Sequence, residues 1–241
     1  MTRRFVLFAL AICVACKPSP PPAKPAGAGP QVRATVVTIR TTVRPENKVW
    51  VRNLVIAGDR ARDTGELDTW RLYDTKAETV TFVDDVARTS RTEALARLVA
   101  QREELLQKPL PAHYSRATFK RTKERRALQG VTAEQALIEA GTYRRELWLA
   151  EHPSIPRGLF GMMQASEPSS TPLVPMMRTV DEALMSARGF PLADRATIPL
   201  GDQTIIIERD VLRIVLQPVS ASLLAVPAGY RDLTPKPKPA K

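Results

Sequence analysis

Hydrophobic and polar positions alternate along most of this chain, and the period is that of a strand. In "QVRATVVTIRTTV" (31–43), Val32, Ala34 and Val36 share one face while Val37 and Ile39 shade to the other. Alternation of this kind, rich in β-branched residues, predicts a strand. "KVWVRNLVIAG" (48–58) follows across a turn at Pro45, Glu46 and Asn47. Then come "TWRLYD", "ETVTFVD" and "VARTSRT", separated by short polar turns such as Asp74 to Ala77 and Asp84–Asp85. Short strands joined by tight turns predict an antiparallel meander.

The period changes at "RTEALARLVAQREELLQK" (91–108). There Leu95, Leu98, Val99, Leu105 and Leu106 fit one face of a helix that Pro109 ends. Strands resume with "RATFKRTKERRAL", "AEQALIEAG" and "YRRELWLAEH". The Pro-rich break "HPSIPRG" introduces two short helices, one over about 158–165 and one from Pro172 or Pro175 to Ala187, stopped by Gly189. Four more strands are expected in "FPLADRATIPLG", "QTIIIERD", "VLRIVLQPVS" and "LLAVPAGY". The pattern therefore predicts a mainly β (α+β) fold in one domain, 31–233, without an internal repeat. Before it, residues 16–30 form a Pro/Ala/Gly-rich tether whose composition cannot build a core. After it, the Pro/Lys tail 234–241 is expected to be disordered.

Composition adds two things. With 241 residues and 44% apolar content the chain can bury a sizeable core. Its net charge of +11 points to acidic partners, but the positive charges are scattered over predicted strands and only denser from Arg116 to Arg126. No zinc-finger, helix-turn-helix or RNP-type pattern accompanies them, so no nucleic-acid partner is expected.

The two cysteines, Cys13 and Cys16, stand at the very start. Residues 1–15 read as an export signal, with Arg3 and Arg4 ahead of an apolar run from Phe5 to Ala15. That run is too short for a spanning helix, which needs about 20 residues. "ICVAC" resembles a bacterial lipobox, with Cys13 where Leu is usual. By that resemblance Cys16 becomes the first residue and carries lipid, so the partner is a lipid membrane reached through acylated Cys16. Ordinary secretion after cleavage near Ala15 is the alternative. Lys17 after the cysteine resembles an outer-membrane rather than inner-membrane address, on the periplasmic side of a cell envelope. The predicted folded body holds no cysteine, which excludes disulfides and thiol catalysis there.

Three stretches carry a wider resemblance. "WRLYD…TVTFVDD…RTSRT" is similar to the middle strands of the LolA/LolB-like lipoprotein-carrier superfamily. "GVTAEQALIEAGTYRRELWLAEHPSIP" is similar to its segment where a Gly opens a strand and a Trp, here Trp148, sits in the next hairpin arm. "LLAVPAGYRDL" resembles its closing strand. The similarity covers about 32–233 and rests on hydrophobic motifs. It implies a strongly curved antiparallel sheet, an open half-barrel, with a few helices packed over its concave side and a cavity that takes acyl chains. An acyl chain or a lipidated protein is the ligand so implied.

Patterns for chemistry are sparse. His113 and His152 lie in Pro-flanked loops without metal-ligand spacing. "EPSSTP" offers serines but no Gly-x-Ser-x-Gly elbow, and there is no Gly-rich phosphate loop. Glu124, Glu134, Glu139 and Glu146 alternate with Arg and Lys, as cross-strand ion pairs would. Asp84 and Asp85 read as a turn, because consecutive strand residues face opposite ways. Neither catalysis nor a cofactor nor a metal is expected.

All internal methionines, Met162, Met163, Met176, Met177 and Met185, fall in the two short helices or beside them. Leu173, Met176, Met177, Val180 and Leu184 recur at helical spacing and form one apolar stripe. Core packing accounts for such a stripe. The clustering also fits a movable lid, because flexible, polarizable methionine tolerates partners of variable shape. On that reading Met162, Met163, Met176, Met177, Val180 and Leu184 line a pocket for an apolar ligand. Cu(I) is a third use of thioethers, but adjacent methionines on a helix point about 100° apart. A structural or interaction lipoprotein without a small-molecule ligand is the competing function.

Overall fold

The computed structural model describes residues 29–64, 68–106, 116–167, 179–180, 182–184 and 187–235. The leader with Cys16 and most of the tether, together with His113, Met176, Met177 and Met185, lie outside them.

The fold is mostly β. One sheet of 12 strands runs in the order β12-β6-β5-β4-β3-β2-β1-β11-β10-β9-β8-β7, and its ends do not meet. From β1 (Gln31–Arg44), five hairpins lay β2 (Lys48–Ala57), β3 (Arg60–Thr64), β4 (Thr69–Asp74), β5 (Thr79–Asp84) and β6 (Thr89–Ala94) outward in one direction. Helix α1 (Leu95–Leu106) then leads to the opposite edge. From there β7 (Thr118–Leu128), β8 (Val131–Ala140), β9 (Tyr143–Ala150), β10 (Phe190–Leu200) and β11 (Gln203–Ser220) work back until β11 pairs with β1. Every neighbouring pair is antiparallel except β12 (Arg231–Asp232), which runs parallel beside β6. Helix α2 (Leu159–Ser166) sits between β9 and β10, and residues 179–180 and 182–184 are also helical.

Alternation decides which face each residue serves. Val37 and Ile39 of β1, Leu54 and Ile56 of β2, Leu147 and Leu149 of β9, and Leu192 of β10 pack with α1 and α2 in the main core. Ala34, Val36 and Val55 point the other way into a smaller cluster closed by Leu224. Strand β1 is thus buried on both sides, which suits its run of β-branched residues.

Several elements depart from the sequence pattern. "QTIIIERD" and "VLRIVLQPVS" are one strand, β11. A bulge between the pairs Ile39–Val211 and Thr38–Arg213 inserts Leu212 and resets the alternation, so the pattern looks broken there. Strand β3 is an element the pattern gave no sign of, since its five residues carry three charges. Residues 91–94 continue β6, held by pairing with β5, so α1 starts only at Leu95. Ala187 lies outside any helix. "LLAVPAGY" is not a strand. It holds the end of a 3-10 turn (Ala221–Leu224), and its Pro227 has no N–H to give a ladder.

The segment leaves the sheet in order to cover its outer face. Arg62 stacks its guanidinium 3.8 Å over Trp70 and donates to the Leu223 carbonyl. Trp70 Nε1 and the Tyr230 hydroxyl both donate to Asp85, at 2.8 and 3.0 Å. Asp84 meanwhile accepts from the Ala87 N–H, so the two adjacent carboxylates serve a turn and a clasp.

Candidate functional site

Helix α2 lies over the face built from β1, β2, β9, β10 and β11, and a cavity of about 70 Å³ remains beneath it. Its lining interleaves apolar residues, Ile39, Phe160, Met163, Phe190, Pro191 and Val211, with the charged Arg52, Arg145, Asp194 and Arg209, and with Gln164 and Glu167 from the end of α2.

Strand register brings the charged lining residues together. Asp194 of β10 lies opposite Arg209 of β11, and Ile39 of β1 lies between Arg52 and Val211. The Arg145 fork donates to both Asp194 oxygens, Nε to Oδ1 at 2.8 Å and Nη2 to Oδ2 at 2.7 Å. Arg209 Nη1 adds a third bond to Oδ2 at 3.0 Å. Bidentate guanidinium–carboxylate pairing is the strongest geometry such groups have. Burial alone would push the Asp194 carboxyl up, but the two guanidiniums outweigh it and hold it below the usual carboxylate range. Burial likewise opposes the charge on Arg145, and Asp194 overrides it, so the guanidinium stays fully protonated. A second pair, Arg52 Nη1 to Asp63 Oδ2 at 3.0 Å, flanks the first.

Two buried polar contacts hold α2 in place. Ser166 donates its proton to the Met163 carbonyl at 2.9 Å, so the Tyr73 hydroxyl of β4 must be the donor in their 3.3 Å contact. Burial raises the Tyr73 pKa, which keeps that proton in place. From α1, Arg102 donates to the carbonyls of Gln164 and Glu167, the latter at 2.8 Å. A guanidinium at a helix C-terminus satisfies orphan carbonyls and complements the dipole. At the other end, Gly158 takes a positive φ of 82° to turn the chain into α2. Gly189 does the same entering β10, where a Cβ would come 3.1 Å from the Ala150 carbonyl oxygen.

Of the residues expected to line a pocket, Met163 alone among the described ones does so. Met162, Val180 and Leu184 are buried in the main core, at 3%, 0% and 1% exposure, and do not border the cavity. Met176 and Met177 lie outside the described residues. The alternation rule could have found the charged lining residues. Asp194 sits between inward Leu192 and Ala196, and Arg145 between inward Tyr143 and Leu147, so both are charges at core positions.

The rest of the expected surface chemistry is local pairing. Glu134 bridges Arg121 and Arg125, Glu139 lies 3.9 Å from Arg144, and Arg126 stacks 4.3 Å over Trp148, whose Nε1 donates to Glu146. His152 accepts from the Ser154 N–H, and partial burial lowers its pKa. Among the described residues no group of His, Cys, Asp and Glu has the arrangement of a metal site. No described helix is long and apolar enough to cross a membrane.

No family model and no curated protein matches the chain. Two solved structures of PNGF-II, in space groups C2 and P21, are distantly similar in shape. They share 10% and 9% identity at TM-scores of 0.46 and 0.45. The match covers 85% of this chain and about a third of PNGF-II (31% and 32%). Likeness at that level carries no functional argument.

Proposed function

We propose that this protein is a lipid-anchored module of the bacterial cell envelope. It holds one end of an amphiphilic ligand, an acyl chain or a lipidated partner, between its sheet and α2, and it catalyses no reaction. The observation that supports this most is the cavity beneath α2, where Ile39, Phe160, Met163, Phe190, Pro191 and Val211 contribute apolar lining. An open antiparallel sheet with α1 and α2 packed on one face is also compatible with a LolA/LolB-like half-barrel, whose helices cover its concave side. Cavity size sets a limit. A dry cavity of about 150 Å³ takes up benzene, so this one, at about 70 Å³, accepts only the few atoms at one end of a ligand while α2 stays seated. A whole chain enters only when α2 lifts.

A purely structural lipoprotein is the second reading. The depth at which Met162, Val180 and Leu184 are buried favours it, because buried side chains cannot greet a ligand unless the helices move.

Two measurements test the proposal. Cys16→Ala is expected to shift the protein from washed membranes to a soluble or unprocessed form. If the variant has lost its leader and still stays with membranes after a high-salt wash, which strips contacts made only by charge, the anchor is wrong. Native mass spectrometry of protein extracted gently from membranes should show an acyl-bearing adduct that denaturation releases. A single mass, unchanged by denaturation, favours the structural reading.

A further inference from the structure

A sheet that ends in an open row of backbone groups invites another strand, and this one guards both of its outer edges. Strand β7 carries Lys120, Arg121, Lys123, Glu124, Arg125 and Arg126, and charge of that density keeps other strands away. Strand β6 is covered by the closing segment, where Arg231 and Leu233 donate to the Arg88 and Ser90 carbonyls and Thr234 accepts from the Thr92 N–H. A third edge lies within the sheet and has no such guard. Strand β10 pairs with β11 only from Ala193, opposite Asp210, onward; its first residues, Phe190 and Pro191, pair with β9. Gln129 Nε2 then occupies the Val211 and Leu212 carbonyls, at 2.8 and 3.2 Å. From Arg213 to Ser220, β11 has β1 on one side and no described strand on the other.

The pairing register identifies the open groups. The Ala221 N–H donates to the Pro30 carbonyl, so by antiparallel alternation Val219, Gln217, Val215 and Arg213 bond to β1. Ile214, Leu216, Pro218 and Ser220 turn their backbone groups outward, and no described residue meets those of Ile214 or Leu216. Pro218 falls on one of these outward positions, where its missing N–H costs the ladder nothing. The segment holds a single charge, Arg213, whose Nε is engaged on Thr38 Oγ1 at 3.3 Å. Val215 and Leu216 are 38% and 55% exposed.

We infer that this edge receives the same edge of a second copy, antiparallel, across a two-fold axis at Val215. Each Ile214 then exchanges both backbone bonds with Leu216 of the other copy. A centre at Leu216 would set Pro218 against Ile214 and lose a donor on each side. A centre at Ile214 would run Pro218 against Asp210, where β10 already lies. With the axis at Val215 the side chains also match. Val215 meets its twin on one face, Leu216 meets Ile214 on the other, and Arg213 faces Gln217 rather than another arginine. The contact is isologous and closes on itself, so it yields a dimer and not a fibre. The tether before β1 and the tail after Thr234 are too rich in proline, which has no N–H to give, to fill the edge themselves. Neither the anchor nor a ligand under α2 is needed for this pairing.

The test is cysteine cross-linking of the full-length chain. Val215 and its twin would form a non-hydrogen-bonded pair with Cα atoms about 4.5 Å apart, a span that a disulfide bridges. Val215→Cys is therefore expected to give a dimer band when intact cells are mildly oxidised, and reducing agent should remove it. Gln217→Cys, on the same face and also exposed, should not, because its twin lies about 13 Å further along the paired strands. The wild type, with Cys13 and Cys16 alone, sets the background. Purified in mild detergent, the wild-type chain should sediment as a dimer. Val215→Lys should sediment as a monomer with the same circular dichroism, since two like charges would stand directly opposite. Equal bands from both cysteine variants overturn the pairing. So does a monomeric wild type without a Val215→Cys dimer, or a dimer that Val215→Cys fails to link and Val215→Lys fails to split. A Val215→Cys band joined to a different protein gives the edge to another partner and overturns the inference equally.

Discussion

Replacing Asp194 with Asn is expected to lower the free energy of unfolding by about 3–5 kcal/mol, the usual cost of removing one partner from a buried ion pair. Asn keeps the shape but leaves the buried Arg145 without the carboxylate that received both arms of its fork. Urea unfolding at neutral pH reads the loss directly. A double variant, Arg145→Met with Asp194→Leu, should recover most of it, because a matched apolar pair avoids desolvating two charges. If Asp194→Asn unfolds at the wild-type midpoint, the cluster does not anchor β9 to β10. Acid titration supplies an independent readout. The folded carboxyl is held below its unfolded value, so its contribution is complete above about pH 4, the unfolded Asp range, and fades as pH falls through the folded value. The wild type should lose this component on acidification, and the Asn variant should lack it.

The second large effect is expected at Arg102. Arg102→Met removes the guanidinium that meets the carbonyls of Gln164 and Glu167, at a cost of about 2–3 kcal/mol for hydrogen bonds from a charged donor. Its consequence is local. The C-terminus of α2 loses its cap while the sheet keeps its ladders, so hydrogen exchange of α2 amides should accelerate well before those of β1 and β11. If α2 is the gate, uptake of a fluorescent fatty acid should quicken in parallel. Unchanged exchange in α2 would show that Tyr73 and the apolar contacts hold the helix unaided.

Much of this fold was legible in the amino-acid pattern because the sheet is built from neighbours in sequence. "TWRLYD" is a strand with both bounds as read, and β1, β5 and β9 lie within one or two residues of theirs, since alternation and turn chemistry act over a few residues. The failures share a cause: tertiary pairing overruled a local signal. The bulge at Leu212 broke the visible period of β11, and β3 has too few apolar residues to announce itself. The closing "LLAVPAGY" has a strand-like composition, yet its place is across the outer face.

The candidate site was legible only in part. The methionine cluster led to α2 and to Met163, but periodicity treats charges as solvated and therefore passed over Arg145, Asp194 and Arg209. Arg102 gave a sign of its own. It follows Leu98 by four residues, on the stripe that α1 turns inward, and a charge at such a position needs a buried acceptor.

The seam between β1 and β11 joins the two ends of the domain, with Gln31 beside Ser220 and Arg44 beside Ile206. The strands on either side zip up mostly from local hairpins, β9 to β10 excepted, but this junction must wait for nearly the whole chain. Such long-range pairing makes for slow folding, because the entropy of closing the loop is spent before any contact repays it. During synthesis β1 therefore stands with its open edge toward solvent, flanked by its own finished half-sheet. An edge so apolar and so late to be covered is where a holdase would grip the chain, and where two unfinished chains would find each other first.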